Sequence, residues 1–250
     1  GSDYSASLFG AALGAPEVQI WTDVLGVLTA DPRRVPEASP ISELSFREAA
    51  ELAAFGAKVL HPATIQPAVE ANIPVTVRHT LHPEGPFSTI TAEGARTGSR
   101  AATAIASRGP IHVVTIESSR MLAQSGFLAR IFEVFGRLGA SVDVVATAEV
   151  SVSLTVDAEA PLDEIRRELS SFAHVSLARD RALVAVVGER LKHTPGLAGR
   201  VFGALSEINV EMISMGSNEV NLSLVVAGAD ETRAVQRLHA ALFAQAGGGR

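Results

Sequence analysis

There is no cysteine anywhere in these 250 residues, which excludes disulfide staples and thiolate metal sites and permits a reducing compartment. No apolar run approaches the roughly 20 residues that cross a bilayer, and no signal-peptide pattern stands at the start. Basic runs and clustered aromatics are missing as well. Aromatics make up 5% of the chain and the formal net charge is −6, so neither nucleic acid nor an anionic membrane is an expected partner. What is present is a globular composition, 47% hydrophobic, with enough length for two or three units by the usual domain-size prior. The expected location is the cytoplasm.

One stretch is written twice. Arg130, Phe132, Glu149, Val150, Ser153, Leu154 and Val156 recur seventy positions later as Arg200, Phe202, Glu219, Val220, Ser223, Leu224 and Val226, with a slip of two between Val142-Asp143 and Val210-Glu211. Identities at one offset across a helix-like and a strand-like segment indicate duplication of a small unit. The start, Gly1-Ser2-Asp3-Tyr4, leaves two readings open, a chain cut inside a larger protein and a tag remnant.

Residues 1–92 read as alternating helix and strand, an α/β layer with a largely parallel sheet. A small-residue helix from Ser5 to Gly14 precedes the strand Val18–Trp21. Ser45-Phe46-Arg47-Glu48 is a capping box that starts a helix through Leu52 and Phe55. Pro62 opens the way to a helix around Thr64–Ala71, and Ile73–Val77 is the next strand. A Gly/Ser/Arg-rich connector, residues 93–109, reads as a hinge.

Residues 110–180 and 181–245 are then two α+β, ferredoxin-like modules on the split βαβ plan. In the first, Phe127, Leu128, Ile131, Phe132, Phe135 and Leu138 form a helical stripe, and Val150–Asp157 alternates with the period of a strand buried on one face. The second module runs out at its last helix, so the two are expected to complete one another's sheets.

Four segments are too specific for periodicity alone: Trp21-Thr-Asp-Val-Leu-Gly-Val-Leu-Thr-Ala-Asp-Pro-Arg33, Phe55-Gly-Ala-Lys-Val-Leu-His-Pro62, Ser125-Gly-Phe-Leu-Ala129 and Ser141-Val-Asp-Val-Val-Ala-Thr-Ala-Glu-Val-Ser151. In this order, over essentially the whole chain, they resemble aspartate kinase. The duplicated module is similar to the ACT domain, an amino-acid-sensing βαββαβ fold. The resemblance implies the last part of an amino-acid-kinase domain followed by two regulatory modules. It also implies transfer of the ATP γ-phosphoryl group to the β-carboxylate of aspartate, at the start of lysine, threonine and methionine synthesis. Such transfer needs positioning and charge neutralisation more than covalent help.

The same resemblance assigns residues. Ser2 and Asp3 match the segment that holds the amino-acid substrate, although by themselves they read rather as a helix N-cap. Thr22, Asp23, Leu28, Arg33, Lys58 and Val59 match the nucleotide site, with Lys58 placed to neutralise phosphate charge as the catalytic candidate. Outside the motif, such a lysine would merely complement a helix dipole. Leu28 stands where relatives often carry an aromatic beside adenine, a loss worth roughly 1 kcal/mol. ATP is expected with Mg²⁺, which rides on phosphates with few protein ligands. No resident metal is expected: His79 and His82 lack an arranged carboxylate, and His61 reads as structural. The family's lysine-and-glycine phosphate motif and the arginine before Gly1 have no match here, so these 250 residues alone are expected not to turn over.

A free amino acid presents a carboxylate and an ammonium. A sensor therefore combines helix-start N–H groups with an acidic side chain. Ser125 is expected as the N-cap of the helix it begins, with Gly126 admitting the ligand and Phe127 and Leu128 following. Asp143, after Val142, is placed to take the α-ammonium. By resemblance Met121, Thr147 and Glu149 line or border the effector site, and Glu149 suits a side-chain ammonium, which makes lysine the expected effector. Ala148 replaces a serine common there. Solvated strand ends are the plain alternative for both acids, and the acids at Glu211 and Glu219 also follow from shared ancestry.

A homodimer through the ACT modules is implied. Two other readings stay open, a non-catalytic amino-acid-sensing module and a kinase for a different amino acid.

Overall fold

A computed structural model describes residues 2–56, 62–94, 102–122, 125–216 and 218–243. The chain is mixed α/β. Helix α1 (Ser2–Leu13) leads into strand β1 (Val18–Thr22), and after a long loop come β2 (Glu43–Ser45), α2 (Phe46–Ala54), α3 (Pro62–Glu70), β3 (Val75–His79) and β4 (Ser88–Thr91). The capping box forms as read. The Ser45 hydroxyl accepts from the Glu48 N–H at 3.1 Å and the Glu48 carboxylate accepts from the Ser45 N–H at 2.7 Å, so two of the orphan donors at the start of α2 are satisfied. These strands make a four-stranded sheet in the order β1-β3-β4-β2. The pairs β1/β3 and β2/β4 are parallel, whereas β3/β4 is antiparallel, because the chain turns back directly through the Pro-rich loop after His79.

Beyond it lie β5 (Ala104–Glu117), α4 (Phe127–Arg137), β6 (Val142–Thr147), β7 (Ser151–Asp157), α5 (Leu162–Leu169), β8 (His174–Val187), α6 (Leu197–Ala204), β9 (Val210–Met215), β10 (Asn221–Ala227) and α7 (Glu231–Phe243). One antiparallel sheet, β6-β7-β5-β8-β10-β9, runs through both copies. The hinge reading of residues 93–109 is corrected here. Ala104–Arg108 is strand and pairs with Leu183–Val187, in the position of the fourth strand that the second copy lacks after α7. The central strands β5 and β8 thus each serve both copies.

The slip of two is a matter of loop length. Strands β6 and β9 show the same burial pattern, but β6 joins β7 through residues 148–150 and β9 joins β10 through residues 216–220.

Alternation along β8 explains its unbroken apolar run. Ala182, Val184 and Val186 face α6 and α7, while Leu183, Ala185 and Val187 join Leu52 of α2 and Phe55, the residue that caps its end, in the core shared with the first layer. A strand buried on both faces loses its polar alternation. The stripe on α4 needs amendment. Phe127, Ile131, Val134 and Phe135 are buried, but Leu128 and Phe132 are 39% and 40% exposed, since the covered face of the helix includes Val134 and leaves Leu128 and Phe132 towards its opposite edge. Ser125 is not the cap of α4 either. Gly126 is, in left-handed conformation (φ 84°) and without a side-chain cap.

Polar contacts fasten the layer to the second copy. Asn218 and Asn221 each donate to Glu51 at 2.7 Å, and the Ser45 hydroxyl donates to Glu189 at 2.6 Å. Arg34 pairs with Glu231 at 2.8 Å, and His239 Nε2 lies 2.9 Å from the Thr29 hydroxyl.

Two outcomes are expected. Replacing Ser45 by alanine removes the cap and the link to Glu189, and should cost about 1–2 kcal/mol in denaturant unfolding. Burial holds the His239 imidazole below its ordinary pKa, with Glu37 opposing. The fold therefore favours neutral His239. Its contribution is complete above the unfolded value of about 6.5 and is lost as pH falls below that towards the folded value. The urea midpoint should drop between pH 7.5 and 5.5, and His239→Gln should flatten that drop.

Candidate functional site

The loop after β1 carries the first long motif, and it folds back to make a cavity of about 490 Å³. Gly26 is required at its turn. Its φ is +104°, and a side chain there would meet the Ser88 hydroxyl at 2.5 Å, a crowding that only glycine avoids. Ser88 in turn fixes the loop, accepting from the Val27 N–H at 2.8 Å and donating to the Ile41 carbonyl at 2.5 Å.

Thr22, Asp23, Leu28 and Arg33 all line this cavity. The Thr22 hydroxyl donates to Asp23 at 3.1 Å. Arg33 grips Asp31 through a fork, Nε at 3.0 Å from Oδ1 and Nη2 at 2.7 Å from Oδ2. Hydrogen bonding from Arg33 holds the Asp31 carboxyl below its usual range, so it is charged at neutral pH. The far wall comes from elsewhere in the chain: Leu52 and Gly56 at the end of α2, Ile105, Ala106 and Ser107 of β5, and Val235 of α7.

Asp31 and this far wall were missed in the sequence. Asp31 stands in the motif beside Arg33 but carries no assignment from the sequence. Nothing local marks β5 or α7 as cavity wall. Lys58, Val59 and His61 lie outside the described residues. Ser2 and Asp3 stand in the first turn of α1, joined by a 3.2 Å hydrogen bond, and do not line the cavity. His79 and His82 lie with ring centroids 4.7 Å apart and planes tilted by 49°. Among the described residues no cluster of three or more His, Asp or Glu side chains is placed to hold a metal.

The effector candidates sit on the first copy. Ser125, Gly126, Leu128, Thr147 and Glu149 are exposed, Phe127 is buried, and Met121 and Val142 pack at the edge of the core under α4. Gly126 opens onto free space, since a side chain there would meet nothing within 4 Å. Asp143 is not free. Arg108 forms an ion pair with it and lies 3.5 Å from Asp157. In the second copy, Glu211 is paired with Arg181 at 2.7 Å, and Glu219 is held by His193 at 3.2 Å and Lys192 at 3.4 Å. Hydrogen bonds from His193 and then Lys192 keep the Glu219 carboxyl below its usual range.

Comparison with known proteins places these features in one family. The amino acid kinase family profile matches residues 1–79, and an ACT domain profile matches residues 184–242. Aspartokinase 1, chloroplastic, of Arabidopsis thaliana is 43% identical over 254 residues, covering 97% of this chain and 44% of the relative. E. coli aspartokinase III in complex with aspartate and ADP (R-state) superposes with a TM-score of 0.85 at 41% identity, covering 97% of this chain and 56% of that one. The same enzyme in complex with lysine and aspartate (T-state) gives 0.82 at 42% identity, with 97% and 55% covered. A putative C-terminal regulatory domain of aspartate kinase from Porphyromonas gingivalis W83 is 35% identical, TM-score 0.51, over 56% of this chain and 96% of its own. The chain spans about half the length of the curated relatives it matches. With both kinase-type and ACT-type regions present in that order, the chain belongs to the aspartokinase family.

Proposed function

We propose that this chain serves the ATP-dependent phosphorylation of the β-carboxylate of L-aspartate in the cytoplasm, under feedback control by L-lysine. One observation carries the catalytic part: the loop closed by Ser88 brings Thr22, Asp23, Leu28 and Arg33 to line one cavity. The relative solved with aspartate and ADP supports a nucleotide as occupant. In this reading adenine lies against aliphatic Leu28, Thr22 and Asp23 orient the nucleotide through hydrogen bonds, and Arg33 turns from Asp31 to the phosphates. Lys58 adds a second positive charge, Val59 borders the nucleotide, and Ser2 and Asp3 hold aspartate. Mg²⁺ enters with ATP and supplies charge neutralisation on the phosphates.

The relative solved with lysine supports lysine as effector. The open left-handed turn at Gly126, followed by the free N–H groups of α4, suits the ligand carboxylate. Asp143 suits its α-ammonium and Glu149 its side-chain ammonium, with Met121, Ser125, Phe127, Leu128, Val142 and Thr147 around them. A homodimer belongs to the same reading. Strand β6 is a sheet edge, and Leu128, Phe132, Val145 and Val150 lie exposed on or beside it and on α4. An apolar edge of that kind is covered by pairing with a second copy.

Calorimetric titration tests both halves. Mg·ADP should bind, and Arg33→Ala should weaken it by roughly tenfold, the loss of a charge-assisted phosphate contact. Absence of Mg·ADP binding refutes the catalytic part. Lysine should bind while threonine and methionine give no heat, and Asp143→Ala should abolish the lysine signal. Threonine binding in place of lysine refutes the effector assignment.

A further inference from the structure

Asp143, the acid assigned above to the ligand ammonium, is already occupied from an unexpected direction. Its partner Arg108 is the last residue of the β5 segment that pairs with Leu183–Val187 of the second copy. The three residues before it, Ile105, Ala106 and Ser107, are wall residues of the cavity. Beside them in the same wall is Gly56, where an added side chain would meet the Ser107 carbonyl at 3.1 Å and the Arg108 Cβ at 3.7 Å. The same short strand segment therefore ends in the effector region and forms the cavity wall, with no spare room against Gly56.

We infer that Arg108 is a positioning residue which couples the two sites: an amino-acid ammonium that takes Asp143 displaces Arg108, releases the end of the β5 wall and weakens nucleotide binding. This rests on the functional reading given above. Displacement is chemically reasonable because the guanidinium is only partly held. Its Nε is buried without a hydrogen-bond partner among the described residues, and its second contact, to Asp157, is long at 3.5 Å. An ammonium at Asp143 leaves Asp157 as the remaining anion for Arg108, so the charge stays balanced while the guanidinium moves.

The second copy lacks such a link. Glu211 is paired with Arg181, whose strand neighbours are Ile111 and Ala227, away from the cavity wall. The coupling belongs to the first copy.

Linkage fixes what must be seen. If lysine weakens Mg·ADP binding by some factor, Mg·ADP weakens lysine binding by the same factor, expected here at roughly tenfold. Titrations of Mg·ADP with and without saturating lysine measure it. In Arg108→Met, Mg·ADP should bind at the weak level of the lysine-saturated protein, lysine should bind at least as tightly as before because its competitor is gone, and the coupling should shrink to within twofold. Asp143→Asn breaks the same pair from the strand at the sheet edge and should converge on the same weak Mg·ADP affinity without lysine. That convergence is a result that a general loss of stability does not produce. Coupling that survives Arg108→Met, or binding of both ligands with no coupling in the unmodified chain, overturns the relay alone. Failure of the unmodified chain to bind Mg·ADP or lysine overturns the functional reading and the relay with it.

Discussion

The structure depends on one pair of strands that are dry on both sides. Along β8, odd and even residues from Ala182 to Val187 divide between the helices of the second copy and α2 of the first layer, and β5 alongside it contributes Ala104 and Ala106 to one side and Ile105 to the other. Small residues at Ala104, Ala106 and Ala185 let α2 approach the sheet, and Leu52 and Phe55 fill the space above them. Burying a side chain of that size contributes roughly 1.5–3 kcal/mol, so this seam is a core and not a loose contact between lobes. It follows that the kinase-type layer and the regulatory sheet move as packed neighbours. A change in one must be accommodated by the other.

Polar groups at the rim of the seam set its register. Glu51 receives amide donors from both Asn218 and Asn221, Glu189 receives the Ser45 hydroxyl, and Arg34 joins Glu231. Each is a contact between groups far apart in sequence, and each would leave a charged or polar atom poorly satisfied if the lobes slid by one residue. Apolar packing supplies the attraction here, and these contacts supply the alignment that keeps the cavity wall opposite the motif loop.

Local chemistry was legible in the sequence, and shared structure was not. The capping box at Ser45, the strand alternation through Val152 and Leu154 and the duplication itself are written in neighbouring residues or at a fixed offset. The left-handed turn at Gly126 was readable as a glycine that begins a helix, but its role as the cap was given to Ser125. Phe132 reads as a core position in the helical stripe, yet it is 40% exposed, and its repeat counterpart Phe202 is 38% exposed. Periodicity reports which residues share a face and not which face is covered. The connector at residues 93–109 misled for a related reason. Its glycine and arginine content hid a strand at Ala104–Arg108 whose pairing partner lies some eighty residues on, and no local signal encodes that. For the same reason the cavity's near side was legible as a motif while its far side, from β5 and α7, was invisible. Identity in sequence did not ensure identity of role either: Arg130 lies 3.9 Å over the Phe172 ring, whereas its counterpart Arg200 donates to the Ala241 carbonyl at 2.7 Å.

Electrostatics at the cavity bears on the proposed nucleotide site of this acidic chain. Arg33 and Arg34 adjoin in sequence but are committed differently. Arg34 is enclosed between Glu231 and Thr232 at the lobe seam, so its charge is spent on holding α7 in place. Arg33 is 78% exposed and is bound to a single carboxylate, Asp31. A pair as open to solvent as that contributes little to stability, since water screens it and ordering two side chains offsets the attraction. In the proposed nucleotide site, exchange of Asp31 for a phosphate is then inexpensive, because the incoming anion would carry more charge than the carboxylate it replaces. Asp31 stays ionised after the exchange and repels the same phosphate, which favours a nucleotide whose charge is already partly neutralised by a divalent cation. The division of labour between the two arginines keeps the seam intact while one cation remains free to change partners.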